Sequence, residues 1–563
     1  MKKLILLLFI GFSPLAFAQY TSIPDPVFEQ KLIDLGIDTD ATLNGQVLNS
    51  DILDVHSLNL NGGVQVIQDL TGIEGFVHLD TLICNNHEID QIDFSANIQL
   101  KFLDLYHAGL QSLDVSALTQ LEYLNCSNEL ASDYVSETFN YITNLDLSQN
   151  VQLKELYANA NGLTNISWPV SANLEHIQIM ESSLTDIDLC SLPGLQRLEM
   201  PYNSGLTTVD LSCNQALVYV DLNKCGLSGI DLSQNQALET LILGHTDVTY
   251  WSYSINEEVG GENVLPDLDI SALTNLKYLQ ARRIGLTQLD VSNNPNLEVL
   301  AVSKNPLYNI DVSANTNLRA LNVKDCYLTS LDVSQNPELR VLTTGKPDIF
   351  PDNTYNFTNL IPHVDLSNNP NLESFSAYDT GLLQVDVSTN PLLEYIDISN
   401  NPLTTFSIAD NPEVMSLHCK NTSLHSLDIQ NAHNDLLNYF YATGNPDLYC
   451  IQVDDVTYAE NVLNWEKDPQ AVYSIDCSMG ISENQAMDIQ IYPVPADDQL
   501  YIEGQIADIQ SVSIYDVAGK RVCFQPVFNT PYVSLQNLSQ GVYFIEFYSS
   551  DDTGKIRKKF VKN

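Results

Sequence analysis

The residue with the clearest claim to chemistry is an aspartate that recurs in the phrase Leu-Asp-(Val/Leu/Ile)-Ser, from Asp93 and Asp114 through Asp290, Asp311 and Asp332 to Asp428. Most successive copies lie 21 residues apart, and stacking them as strands sets the carboxylates about 5 Å from one another. Bare charges at that spacing repel by roughly several tenths to a few kcal/mol per pair, depending on solvent access. Two kinds of screening fit the residue types. Calcium would bridge the oxygens, with Asp290, Asp311 and Asp332 as the first candidates. Alternatively, the Ser and Asn that follow at fixed offsets engage neighbouring backbone, and the row is structural. The Gly-rich nonapeptide of calcium-binding β-rolls is missing, which favours the structural role. No cofactor is assigned, and calcium is kept as the weaker alternative.

A second set is aromatic. Phe102, Tyr106, Tyr123, Tyr157, Tyr219, Tyr278 and Tyr395 stand at positions alternating with apolar residues, as do Tyr378, Tyr439 and Tyr441, and Asp104, Asp221 and Asp397 lie among them. Rings beside carboxylates stack on sugars or anchor a protein partner, although strand propensity also enriches tyrosine. A third row is asparagine, from Asn97 and Asn150 to Asn390 and Asn411, often followed by Pro. Asn tolerates left-handed backbone and bonds adjacent peptide groups, so this row reads as turn scaffold. The ten histidines are scattered, and HExxH, nucleophile-elbow and phosphate-loop motifs are absent. The chain reads as a non-enzyme.

The elements that must carry these rows come from a repeat. Residues 289–309 read LDVSNNPNLEVLAVSKNPLYN, and IDVSANTNLRALNVKDCYLTS and LDVSQNPELRVLTTG follow. Apolar residues recur at matching offsets, Leu297, Leu300 and Val302 in one copy and Leu318, Leu321 and Val323 in the next. Such a unit is too small to bury its own apolar side, and stacking supplies the missing core. The phrase L-x-x-L-x-(L/V)-x-x-N-x-L resembles the leucine-rich repeat, and LDVSxNPxL resembles its short bacterial subclass. The resemblance implies a β-rich solenoid of about sixteen coils, in which sheet runs the length of roughly 75 Å.

The flanks are distinct. Lys2 and Lys3, the apolar run Leu4–Ile10 and Ala16-Phe17-Ala18 read as a signal peptide over 1–18, cleaved before Gln19. Residues 19–57 form an N-terminal cap, with a helix started by Asp25 and Pro26, stopped by Gly36 and turned inward on Phe28, Leu32, Ile33 and Leu35. The solenoid spans 58–445. Residues 446–477 lose the repeat and read as a C-terminal cap, closed by a disulfide between Cys450 and Cys477 in an exported chain. Cys84, Cys126 and Cys419 hold inward apolar positions, whereas Cys225 and Cys326 stand where the repeat has Asn. Residues 478–489 are a polar linker.

Three gaps of 32, 38 and 33 residues interrupt the period after Leu113, Ile230 and Leu331. The extra residues fall at one phase, so all three loops should leave the same edge of the solenoid. They carry Phe139 and Tyr141, then Trp251 and Tyr253, then Phe350, Tyr355 and Phe357. Long loops on a rigid scaffold are common binding elements. Trp251 and Tyr253 therefore join the candidate ligand contacts.

Charge separates body from tail. Residues 19–489 carry 15 Lys and Arg against 63 Asp and Glu, whereas residues 490–563 carry 7 against 8. A body this acidic repels phosphate backbones, which excludes nucleic acid and favours basic partners. Residues 490–563 read as a small β-sandwich with strands at Leu500–Glu503, Ser511–Tyr515 and Gly541–Tyr548. Their motifs are YPVPADD with Tyr492, Pro493 and Pro495; YDVAGK with Asp516, Gly519 and Lys520; LSQGVYFIEF with Gly541 and Tyr543; and KKFVKN with Lys558 and Lys559. Together they resemble the type IX secretion sorting domain, with Val494 departing from the usual Asn. The resemblance, like that of the cap and repeats to Bacteroidetes surface proteins, implies Sec export, passage through the outer membrane and removal of the tail. The expected product is a secreted or cell-surface, adhesin-like protein that binds a protein or glycan ligand. Polysaccharide capture, or a structural role in a surface layer or biofilm matrix, is the alternative.

Overall fold

The computed structural model describes residues 19–62, 65–129, 139–171, 173–244, 262–345, 358–477, 490–492, 494–503, 509–516, 520–526, 532–549 and 555–563. The segments expected to be a signal peptide, 1–18, and a linker, 478–489, lie outside the described residues. Two compact units meet in sequence between Cys477 and Ser478.

The first unit begins with a helix, Pro26–Asp34. Asp25 accepts from Val27 N (2.7 Å) and Phe28 N (3.0 Å), satisfying two of the donors a helix start leaves open. Its other oxygen accepts from Gln68 N (2.7 Å) and Asp69 N (3.0 Å), which fastens the helix to the first coil. Phe28 and Leu32 are fully buried, whereas Leu35, expected on the same face, is 49% exposed. The reason is local. The helix ends at Asp34 and the chain turns at Gly36 with φ +70°.

Eighteen short parallel strands then form one long sheet, from Ser57–Asn59 to Trp465–Lys467. Pairing runs serially, Leu58 to Leu82 to Leu103 to Leu124 to Leu156, and among the described residues no register joins the last strand to the first. The sheet is therefore an open ribbon. In most three-residue strands the middle side chain is buried and the flanking two face outward, as in Phe102–Asp104 and Tyr123–Asn125. Each buried leucine contributes about 1.5–3 kcal/mol by leaving water. The count exceeds the expected sixteen because both ends extend it. Ser57–Asn59 pairs ahead of the first clear phrase, and Trp465–Lys467 continues the sheet after the phrase is lost. Residues 446–477 thus close the unit by adding one more coil, and Cys450 and Cys477 are bonded there.

The asparagine row has a different job from the one its turn propensity suggested. Ten of these residues, Asn97 through Asn411, are fully buried. Asn294 Nδ2 donates to Ile270 O (3.0 Å) and Leu273 O (2.8 Å), and Asn315 Nδ2 to Val291 O (3.0 Å) and Asn294 O (2.8 Å). Each amide reaches back one coil and brings a second donor to buried carbonyls that already accept a turn N–H, tying the two coils together. None of the ten has positive φ.

A second inward row lies after the strands. Asn305 donates to Ala281 O (2.7 Å) and Val302 O (2.8 Å), and Asn401 to Ala377 O (2.7 Å) and Ile398 O (2.9 Å). Cys225 and Cys326 do stand in this row. Their thiols point at Met200 O (3.1 Å) and Val302 O (3.3 Å).

This row also explains how the three insertions rejoin the repeat. Asn140, Asn263 and Asn359 fill it where each insertion returns, and each donates to two strand-end carbonyls at 2.7–3.0 Å. The next residue then donates its N–H to the preceding coil: Tyr141 to Leu110 O (2.7 Å), Val264 to Leu227 O (2.7 Å) and Leu360 to Leu328 O (2.8 Å). All three returns share one phase and one clip. The loop centres, with Trp251, Tyr253, Phe350, Tyr355 and Phe357, lie outside the described residues.

The second unit is two antiparallel sheets. One holds Gln490–Tyr492, Gln499–Glu503 and Tyr532–Ser534; the other holds Arg521–Pro526, Ile509–Asp516, Gly541–Ser549 and Lys555–Lys562. Their shared core includes Leu500, Ile502, Val512, Ile514, Val533, Ile545 and Phe547. The first and last motifs clasp each other. Ala496 N donates to Val561 O (2.8 Å), Asn563 N to Ala496 O (2.9 Å), and Lys562 pairs with Asp498 (3.2 Å).

Candidate binding surface

Because every strand is in register, the outward side chains of the long sheet fall into two columns. Phe102, Tyr123, Glu155, His176, Arg197 and Tyr219 follow one another in the first. Asp104, Asn125, Tyr157, Gln178, Glu199 and Asp221 run beside them in the second. Phe102 and Tyr123 stack with centroids 4.2 Å apart and planes 6° from parallel, and Tyr123 touches Tyr157 at 5.4 Å.

From there the surface becomes a polar network. The Tyr157 hydroxyl donates to Glu155 Oε2 (2.9 Å) and stands 3.1 Å from His176 Nδ1. His176 Nε2 donates to Glu199 Oε1 (2.8 Å), and Arg197 Nε donates to the same oxygen (2.6 Å). The Arg197 guanidinium lies 3.6 Å over the Tyr219 ring. Burial pushes the Glu199 carboxyl up, but the bonds from His176 and Arg197 outweigh it and hold the group at about 2. Asp221 goes the other way. Burial raises it to about 7 despite the bond it accepts from Asn223 N (3.0 Å). The Tyr219 hydroxyl is pushed up to about 12, first by burial and then by Asp221 and Glu199.

A second cluster occupies the other end. His418 lies between Tyr395 (5.4 Å) and Tyr441 (4.9 Å), with Ser416 Oγ 3.0 Å from its Nε2. Lys420 sits 4.4 Å over the Tyr441 ring and pairs with Glu466 at 3.0 Å. Burial lowers His418 below the usual imidazole range. Smaller side chains separate the clusters: Val299 and Ala301, Ala320 and Asn322, Val341 and Thr343, and Ser374, with Ser376 beside it buried.

The candidate aromatics are therefore divided. Phe102, Tyr123, Tyr157 and Tyr219 share the first cluster, Tyr395 belongs to the second, and Tyr278 stands apart with its hydroxyl on Gln280 (2.7 Å). Tyr106 lies beyond the strand against His107, which also meets Phe139 at the return of the first insertion. Glu155, His176, Arg197, Glu199 and His418 were not anticipated. Each keeps the strand offset of the aromatic candidates, and that offset was the available signal.

The aspartate row faces elsewhere. Asp290, Asp311 and Asp332 each accept, at 2.9 Å, the backbone N–H of the serine two residues on. Those serines hold all three carboxyls below the usual range. This turn bond accounts for the Asp that most coils carry, and Ser407 makes it where Asp is absent, accepting from Ala409 N (3.2 Å). Among the described residues no group of three or more His, Cys, Asp or Glu side chains converges as for a metal ion. Cysteine pairing extends beyond the single pair anticipated, since Cys190 and Cys213 are also bonded, joining the serine edges of adjacent coils.

The tail motifs split between folding and surface. Asp516 holds the turn to Lys520, whose N–H it accepts at 3.0 Å. Tyr543 is buried on Phe560 (5.8 Å), with its hydroxyl on Ser539 O (3.0 Å). Gly541 opens its strand, whereas Tyr492, Pro495, Lys558 and Lys559 are exposed. Pro493 and Gly519 lie outside the described residues.

The architecture is a leucine-rich-repeat solenoid. Among solved structures, the functional domain of InlJ from Listeria monocytogenes, whose description notes a cysteine ladder, is 21% identical; the match covers 98% of this chain and 100% of that one at a TM-score of 0.56. A leucine-rich-repeat protein of Leptospira interrogans is 18% identical, over 75% of this chain and 97% of its own, at a TM-score of 0.49. No curated protein matches the chain. Residues 490–563 match the family described as the secretion system C-terminal sorting domain. That tail marks the protein for export to the cell surface or the extracellular space. Among the described residues no helix is long and apolar enough to cross a membrane.

Proposed function

We propose that this exported solenoid is an adhesin-like recognition protein and that the outward face of its long sheet binds a protein partner. The network from Tyr157 through His176 and Glu199 to Arg197 and Tyr219 carries this reading. Its charged groups are held by one another before any ligand arrives, so a partner meets a rigid surface at low entropic cost. Tyrosine and arginine are also the side chains that most often carry interface energy. The edge loops with Trp251 and Tyr253 extend the same proposal, and removal of a signal peptide over 1–18 completes the proposed export route.

The test is a pull-down and a glycan array on the chain from Gln19, comparing it with Tyr123→Ala, Arg197→Ala and Trp251→Ala/Tyr253→Ala variants. Saturable capture of one protein, weakened at least about tenfold by Tyr123→Ala or Arg197→Ala, is the expected result. Glycan binding with the same sensitivity would replace the protein partner with a polysaccharide. Binding that ignores these substitutions, or none at all, would sink the recognition role in favour of a structural one.

A further inference from the structure

The sorting unit carries a row of aromatic side chains on the outer face of one of its sheets, away from its core. Tyr492, Tyr501 and Tyr532 come one from each strand of the three-stranded sheet and stand directly opposite one another, Tyr492 to Tyr501 and Tyr501 to Tyr532. Their rings touch in sequence, with centroids 5.7 and 6.0 Å apart. Neighbours along the strands, Leu500, Ile502 and Val533, turn inward and are buried to within 2% exposure. The three tyrosines therefore share the outer face, 48%, 37% and 38% exposed. They make an unbroken aromatic band across the full width of that sheet.

The motif residues around the band have structural work. Ala496 and Asp498 clasp the last strand, Asp516 shapes a turn, and Tyr543 and Phe560 fill the core. Tyr492 belongs to the first of these motifs yet is about half exposed. Exposed aromatic residues on a rigid scaffold point to recognition. Charge offers little to read in this unit, since its 7 basic and 8 acidic residues nearly cancel beside the strongly acidic body. A band of phenols, two near-parallel and the third tilted by 55°, fits a protein surface with an apolar slot and hydrogen-bond acceptors at its rim, the arrangement of tyrosine-rich interface cores.

We propose that the Tyr492–Tyr501–Tyr532 band is the face by which the tail docks on a protein of the secretion machinery. This rests on reading residues 490–563 as a sorting domain and adds the surface that is sorted.

The experiment follows the full chain in a bacterium with a type IX system, measuring the surface and medium fraction against the periplasmic fraction with antibody to the solenoid. Tyr501→Ser/Tyr532→Ser should lower the exported fraction at least about tenfold and leave tail-bearing chain in the periplasm. Phe at the same two positions should keep export near the unsubstituted level. Limited proteolysis of the purified full chain checks the fold, and the Ser variant should resist digestion like its parent. Export of the Ser variant at the parental level overturns the docking face and leaves the sorting reading standing. A tail that becomes protease-sensitive also overturns it, because the band would then be a folding element. Failure of the parent chain to be exported would remove the sorting reading and the docking face together.

Discussion

Asn315 shows how much one buried amide does in this fold. Its side chain holds carbonyls of two residues in the coil before, Val291 and Asn294, while its own carbonyl is held by Asn336. Asn315→Ala should cost about 1–3 kcal/mol, read as a lowered Tm, because two buried hydrogen bonds between coils are lost. Asn315→Asp should cost more, since it turns a carboxylate toward those same oxygens. Asp221 allows a test with a pH signature. Its folded pKa, raised by burial to about 7, lies above the ordinary carboxylate value, so the folded state binds the extra proton. Stability from this group is fullest below about pH 4 and falls as pH rises through 7. Asp221→Asn should therefore raise Tm at pH 8, by the equivalent of at most about 4 kcal/mol, and change little near pH 4. An equal gain at both pH values would mean that the charge is not what costs stability.

At the scale of elements, the last coil depends on its cross-link. Among the described residues, strands Trp465–Lys467 and Val472–Ser474 each have a neighbour on one side only. Cys450→Ser/Cys477→Ser should cost about 2–4 kcal/mol and speed hydrogen exchange in 450–477 before the inner coils respond. The strands themselves were legible, because a buried leucine with outward neighbours repeats at a local period. The asparagines were recognised as scaffold but misplaced, since turn propensity does not reveal whether an amide faces the turn or the previous coil. Glu155, His176, Arg197 and Glu199 were overlooked for a related reason. Outward positions have no packing rule, so only strand register shows that these four meet. Cys190 and Cys213 sit at slightly different offsets in adjacent phrases, and the bond between them emerged only from the stacking.

Across the whole molecule the dominant quantity is charge, 15 basic against 63 acidic residues in the body. Self-repulsion should make Tm climb as sodium chloride rises from about 0.01 to 0.15 M, over which the screening length shrinks from about 30 to 8 Å. Calcium and magnesium at equal ionic strength should give the same Tm, because the aspartate row is occupied with its serine N–H groups. A much larger rise with calcium would assign that row to the metal.

The clip at Asn140, Asn263 and Asn359 has an evolutionary consequence. Any segment that ends in an asparagine followed by a residue with a free N–H can be grafted into a coil without disturbing the leucines beneath it. Variation in the chain is thereby channelled to one margin of the ribbon. Whole loops can be exchanged there while the body stays the same.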